Sequence, residues 1–274
     1  MVLRKAGAAL AAGCTMIVKP SPETPLTCLT FAHLAAQAGF EPGMFNVLTT
    51  SLDNTPSLSE ALYTHRLVKK VTFTGSTRVG KIIATHCAAG LKKVTMEWGG
   101  NCPFIIFDDA NLEQALVALM APKWRHAGQA CITANRIYVQ AGVYDGFTEM
   151  LREATTELVV GHGAEKGTTM GPLTIARGIV KAERQVQDAV RRGAKIILGS
   201  GRAMERGGDQ RGYFFEPTIL TEVTAEMLIS REETFAPVAA LYKFETEDEV
   251  IRMANDTGMG LASYAFAKDV DRMW

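Results

Sequence analysis

The sequence predicts an α/β fold in which helices cover a parallel sheet. Three observations point there. Short β-branched runs alternate with amphipathic helical stretches from residue 14 onward. Neither a solenoid-period repeat nor a low-complexity tract interrupts them. The apolar share of 47% and charged share of 21% are those of a packed globular chain.

The elements follow in order. CTMIVKP (14–20) reads as a strand and TPLTCLTFAHLAAQAG (24–39) as a helix, with Leu26, Leu29, Leu34 and Ala38 at helical spacing and Gly39 as its stop. FNVLT (45–49) is a strand, SLSEALYTHR (57–66) a helix and VKKVTFTG (68–75) a strand. RVGKIIATHCAAG (78–90) is a helix, and KKVTMEWGG (92–100) a strand closing on paired glycines. This βαβαβαβ alternation predicts one parallel sheet of dinucleotide-fold type. Gly99–Gly100 permits a sharp change of direction, so the expected domains are 1–99 and 100–274. The second block opens with strand 104–110 and helix 111–128, then strand 136–140 and helix 142–159. A glycine-rich connection (161–171), helix 174–194 and strand 195–199 precede a mixed tail. That tail ends with strand LASYAFA and the start of a helix at VDRMW.

Charge and cysteine usage exclude some function classes. Lys plus Arg (29) equals Asp plus Glu (29), so no basic surplus points to nucleic acid or an anionic membrane. No run approaches the roughly 18 apolar residues of a membrane span. The N-terminal MVLRKAGAALAAGC imitates a secretory signal, but its apolar run is weak and flows directly into a strand. Five cysteines (14, 28, 87, 102, 131) show no metal-ligand rhythm with the five histidines. Such thiols fit a reducing compartment, the cytoplasm or alternatively the mitochondrial matrix.

Five clusters carry chemistry, each with a plainer alternative, which for a lone cysteine is a small buried hydrophobe. HAGQACITANR (126–136) sets Cys131 among small and polar residues, where a structural cysteine would pack poorly. FTGSTRVGK (73–81) presents Gly75 and Ser76 at a helix N-terminus suited to a pyrophosphate, although a simple strand–helix turn explains it equally. VKPSPETP (18–25) puts Lys19 at a strand's C-terminal end, where parallel sheets bind ligands; a solvated lysine is the alternative. MEWGG (96–100) places Glu97 at a strand end, where burial would make a carboxylate a general base; a salt-bridged glutamate is the alternative. REETFAPV (231–238) joins carboxylates to an aromatic, able to hold a ribose and a flat ring, or else forms a charged loop.

Together these words resemble the NAD(P)-dependent aldehyde dehydrogenase superfamily in order and spacing. AALAAGCTMIVKPSPETPL, FTGSTRVGK, EWGG, GQACITANR, MGPL, FFEPTIL, REETFAPV and ANDTGMGLA all fall where the family has them. Within it the chain is most similar to succinate-semialdehyde dehydrogenases, especially fungal ones. The resemblance implies part of a Rossmann-type cofactor domain followed by an α/β catalytic domain, both incomplete. It implies NAD or NADP as cofactor, no metal, and a small aldehyde as substrate, oxidised to its acid. Cys131 is then the nucleophile, forming a thiohemiacetal and then a thioester, and Glu97, thirty-four residues earlier, the base. The Cys131 main-chain N–H donates to the oxyanion. Lys19 contacts the adenine ribose, Gly75 and Ser76 the pyrophosphate, Glu233 the nicotinamide ribose, and Phe235 packs near the ring. Arg125 matches the arginine that takes a distal carboxylate, its planar fork suiting that group; a surface helix arginine is the alternative.

Departures from the family pattern are equally readable. Pro22 stands where NAD-preferring members carry a ribose-binding glutamate, which implies dual or NADP-leaning use. Thr133 replaces a second cysteine, Trp98 a leucine, Ala236 a glycine and His126 an asparagine. The chain begins past the family's PWNFP segment and stops before the strand used for oligomer pairing. That length raises a second expectation, a truncated, non-catalytic fragment or pseudoenzyme that at most binds nucleotide or a partner.

Overall fold

A computed structural model describes residues 1–205 and 212–273, and it divides into two units, Met1–Trp98 and Gly99–Trp274. In the first, α1 (Val2–Ala11), β1 (Met16–Val18), α2 (Leu26–Gln37) and β2 (Phe45–Val47) precede α3 (Thr55–Thr64), β3 (Lys70–Thr74), α4 (Thr77–Ala89) and β4 (Lys93–Glu97). The expected strands pair in parallel, β1 with β2 and β3 with β4. They form two separate two-stranded sheets rather than the single sheet expected. Three-residue strands supply few ladder bonds, and no described strand bridges the pairs. Tyr63, Ile83 and Cys87 make a small core with Val71, Phe73, Val79 and Met96. The leucine stripe of α2 does not join a core: Leu26, Leu29 and Leu34 are exposed, and Cys28 and Ala35 are the buried positions. Gly39 ends the helix region at φ +88°, a conformation open to glycine.

The second unit is built on β5 (Cys102–Ile106), α5 (Leu112–Trp124), β6 (Ala134–Gln140), α6 (Tyr144–Thr156), α7 (Ala176–Arg191) and β7 (Lys195–Leu198). Then come β8 (Thr218–Thr221), α8 (Leu228–Arg231), β9 (Val238–Phe244), α9 (Glu247–Asn255) and β10 (Tyr264–Phe266). One six-stranded sheet runs β10-β5-β6-β9-β8-β7, parallel except for the antiparallel β7–β8 pair. Central strands β6 and β9 are buried on both faces, as helices above and below a parallel sheet require. Alternation assigns Ile137, Val139, Ala239 and Leu241 to the face holding Leu119, Trp124, Phe147 and Leu151. Tyr138, Ala240, Tyr242 and Phe244 meet Ile179, Ala182 and Val186 of α7 on the other face. Each fully buried large side chain contributes roughly 1.5–3 kcal/mol. The helix expected over 111–128 stops at Trp124 and becomes a short turn, Arg125–Gly128. At the chain's end, Asp271–Met273 is a single 3-10 turn, and Trp274 lies outside the described residues.

Asp188 joins α7 to α8. Its carboxylate accepts the Leu228 N–H at 2.8 Å and the Arg192 Nε–H at 3.1 Å. The Leu228 N–H foremost, with Arg192 and Arg191, holds its pKa below the ordinary value. A depressed carboxylate contributes stability above its unfolded pKa, near 3.9, and loses it as pH falls through the folded value. Asp188→Asn is therefore expected to destabilise the chain by about 1 kcal/mol at pH 7. Below about pH 4 the difference shrinks; urea unfolding at pH 7 and pH 3 measures it.

Candidate active site

In the first unit the β3–α4 turn brings three marked residues together. The Gly75 N–H donates to the Glu97 carbonyl at 3.1 Å, tying the turn to the end of β4. A Cβ on Gly75 would lie 2.5 Å from the Phe73 ring, so a side chain there would displace that ring. Ser76 caps α4, its Oγ accepting the Val79 N–H, and leaves the helix's first N–H groups at the turn. Glu97 is half-buried where β4 ends. The Trp98 indole lies over Gly80, whose Cβ would stand 2.5 Å from Nε1. Lys19 follows β1 directly, and its Nζ donates to the Pro20 carbonyl at 2.7 Å. Partial burial pushes that ammonium down while Glu23 opposes. Among the described residues no hydrogen bond or ion pair joins Lys19 to Gly75, Ser76 or Glu97.

In the second unit the segment between α5 and β6 is shaped by backbone conformation. His126, Ala127 and Gly128 are successively left-handed, at φ 53°, 54° and 72°. Histidine visits that region more readily than most residues. Gly128 is required, because a Cβ there would stand 2.3 Å from the Ala236 carbonyl oxygen. Gln129 staples the turn: its N–H and Nε2 donate to the His126 carbonyl at 3.1 and 2.8 Å, and its Oε1 takes the Thr174 N–H at 2.9 Å. A tight turn follows, Thr133 N–H to the Ala130 carbonyl at 3.0 Å, with Cys131 half-buried at its corner. Gly100 stands beside it: a Cβ there would lie 2.5 Å from the Cys131 carbonyl oxygen. That carbonyl accepts the buried Cys102 thiol at 3.5 Å.

Gly100 also links Cys131 to Glu233, whose Oε1 accepts the Gly100 N–H at 3.1 Å. Burial pushes the Glu233 carboxyl up, with the Gly100 N–H and Lys181 working against it. Arg125 and Phe235 share an open cleft of about 630 Å³ with His126, Gln129, Thr169, Gly171, Pro172 and Thr174. Within one unit, Cys131 and Glu233 thus meet at Gly100, and Arg125 and Phe235 line one cleft, while Glu97, Gly75 and Ser76 cluster in the other.

The chain matches the aldehyde dehydrogenase family over residues 1–274. It belongs to that family. It is 47% identical over 274 residues to an NADP+-dependent succinate-semialdehyde dehydrogenase of Escherichia coli, covering 100% of this chain and 55% of that protein. Identity is also 47%, over 274 residues, to a glutarate-semialdehyde dehydrogenase of Pseudomonas aeruginosa, with 100% and 55% covered. The crystal structure of an E. coli NADP-dependent enzyme superposes with a TM-score of 0.95 at 47% identity, over 99% of this chain and 55% of that one. The chain spans about half the length of the curated relatives it matches.

Two residues of this aldehyde dehydrogenase chain escaped the sequence reading. Lys5 of α1 donates through Nζ to the Thr72 hydroxyl at 2.6 Å; partial burial pushes it down, and the nearby Glu97 pushes it back. In the sequence it was half of a basic pair suggesting a leader. Lys123 of α5 is fully buried, and its Nζ donates to the Ala134 carbonyl at 3.2 Å. Helical spacing marks its position as inward-facing, but residue type argues for a solvated head.

Burial pushes Lys123 down to about 7, with Cys102 opposing. Between that value and the ordinary lysine pKa near 10.4, the unfolded chain holds a proton that the folded chain has released. Stability from this group therefore rises with pH across that window, by up to about 1.4 kcal/mol per unit. Lys123→Met is expected to flatten the rise, measured as the difference between parent and variant in urea unfolding at pH 7 and pH 9.5.

Proposed function

We propose that this chain carries the reacting residues of an NAD(P)-dependent oxidation of an aldehyde with a distal carboxylate, succinate semialdehyde foremost. The observation that supports the reading is that Arg125 and Phe235 line one cleft, while Gly100 brings Cys131 beside Glu233, two residues before Phe235. Succinate and glutarate semialdehyde differ by one methylene, and equal identity to enzymes named for each does not choose between them. Both substrates offer Arg125 the same planar anion.

The residues present fit a dinucleotide. The α4 N-terminus offers unpaired main-chain N–H groups beside Gly75 and Ser76 for the pyrophosphate, Lys19 serves the adenine ribose, and Glu233 presents a partly buried carboxylate for ribose hydroxyls. When bound, NAD(P)+ supplies the acceptor for the aldehyde hydrogen. The Cys131 thiolate adds to the aldehyde carbon and later holds the acyl group as a thioester. No acceptor among the described residues takes the Cys131 main-chain N–H, which leaves it for the oxyanion. Glu97 accepts the proton of the water that hydrolyses the thioester, releasing the acid and restoring the thiol.

NAD(P)H absorbance with succinate semialdehyde tests this on the purified chain. Signal in the parent and none in Cys131→Ala is expected; a flat trace from a folded parent overturns it in favour of a nucleotide-binding chain without turnover. Losing the charge-assisted pair in Arg125→Ala is expected to raise KM for succinate semialdehyde by roughly 10–100-fold, from about 1.5–3 kcal/mol, while a neutral aldehyde of similar length is scarcely affected. Pro22→Glu, restoring a carboxylate at the adenine ribose, is expected to shift the kcat/KM ratio toward NAD over NADP by roughly tenfold, the repulsion of a 2′-phosphate costing about 1.4 kcal/mol.

A further inference from the structure

Asn135 is the fourth residue after Cys131, near the start of β6, and is 1% exposed. Its side-chain amide, oriented by its neighbours, donates to the Thr234 carbonyl at 3.0 Å and accepts the Thr234 N–H at 3.2 Å. Thr234, itself 1% exposed, lies between Glu233 and Phe235. The nucleophile segment and the segment 232–236 meet at two more places: Gly128 against the Ala236 carbonyl, and Gly100 between Cys131 and Glu233. On the far side, Gln185 Nε2 donates to the Glu232 and Glu233 carbonyls at 3.2 and 3.4 Å. The Gly128 contact is a close approach of backbone, which sets distance without binding, and the Gly100 N–H bonds only to the Glu233 side chain. The amide of Asn135 is the bond that spans the two segments in both directions.

We propose that Asn135 is a positioning residue that couples the segment carrying Glu233 and Phe235 to the turn carrying Cys131. With it removed, a buried N–H and a buried carbonyl of Thr234 lose their partner together, and the segment is released from β6. Gln185 still holds the outer side, so the loosening is directed at the nucleophile turn. The meaning of the coupling rests on the roles of Cys131 and Glu233 given above.

The test needs no turnover, so failure of the oxidation assay leaves it decidable. Trypsin releases 126–136, HAGQACITANR, with Cys131 as its sole cysteine. Iodoacetamide labelling of that peptide in the folded chain is timed for the parent, Asn135→Ala and Asn135→Asp, which keeps the acceptor and drops the donor. Hydrogen exchange across 232–237 is followed in parallel. Thr155→Ala is the control for lost stability, because its buried hydroxyl bonds to Leu151 within α6. Asn135→Ala is expected to label Cys131 about 5-fold faster or more, in line with loss of about 1 kcal/mol, and to raise exchange in 232–237. Asn135→Asp is expected to show a smaller change in the same direction, and it carries the test where the alanine variant does not fold. Labelling within twofold of the parent in the folded variants overturns the proposal, as does an equal acceleration in Thr155→Ala.

Discussion

The left-handed run at 126–128 is the constraint on which the second unit's site depends. A helix that simply continued from α5 would carry Arg125 and Cys131 around its axis, onto faces set by a period of 3.6. Three successive positive φ values reverse the chain within one turn, so that Arg125 stays at the cleft and Cys131 reaches a corner beside Gly100. A non-glycine residue such as Ala127 in that region costs on the order of 1 kcal/mol or more. The surroundings hold it there: Gln129 closes the turn on the His126 carbonyl and ties it to Thr174, and Gly128 lies flat on the Ala236 carbonyl. Cys131 packs poorly because its turn is shaped by backbone rather than by side-chain fill, which leaves a half-buried thiol with room on one side.

Much of this was legible in the sequence for a physical reason. Period and composition locate helices and strands, because burial selects apolar residues at 3.6 or 2 spacing, and α7 and β6 fall where that pattern puts them. The site words were legible because close backbone approach demands particular residues: Gly128 against Ala236 and Gly100 against Cys131. What failed was anything decided by distant partners. The α2 leucines have helical spacing yet remain exposed, since periodicity says which residues share a face and not whether anything covers it. Parallel pairing in the first unit was readable, but not its division into two sheets, because register is set by neighbours. Lys123 and Asn135 were missed because a lysine and an asparagine are polar by type; their burial follows from α5 and β6 packing together.

Buried polar groups in the second unit are met mainly by main-chain atoms rather than by opposite charges. Glu233 takes a glycine N–H, Lys123 a carbonyl, Asn135 both groups of Thr234, and Gln185 two carbonyls. A partner of opposite charge would hold Glu233 ionised and saturate its acceptors. A single N–H leaves the carboxylate capacity for further donors, which suits a surface awaiting hydroxyl groups. Main-chain partners also fix geometry more tightly than side-chain pairs, because the sheet and helices have already spent their conformational freedom.

Arg136 extends that logic to the far end of the nucleophile segment. Its guanidinium is 2% exposed and bonds to the Asn101, Met253 and Ala254 carbonyls at 2.9, 2.9 and 2.8 Å, with Tyr138 Oη at 3.1 Å. Met253 and Ala254 lie in the last turn of α9, where unpaired carbonyls gather partial negative charge. The arginine therefore caps that helix from inside the unit and binds it to β6 and to the residue following Gly100. A carboxylate in place of those carbonyls would pair the charge but tie β6 to one side chain. Four acceptors on three segments instead fix the first turn of β6 in three dimensions, and Cys131 projects from the turn that enters it. Arg136, Asn135 and Gln129 thus anchor the segment around Cys131 to three different stretches of chain: the α9 end, Thr234 and Thr174.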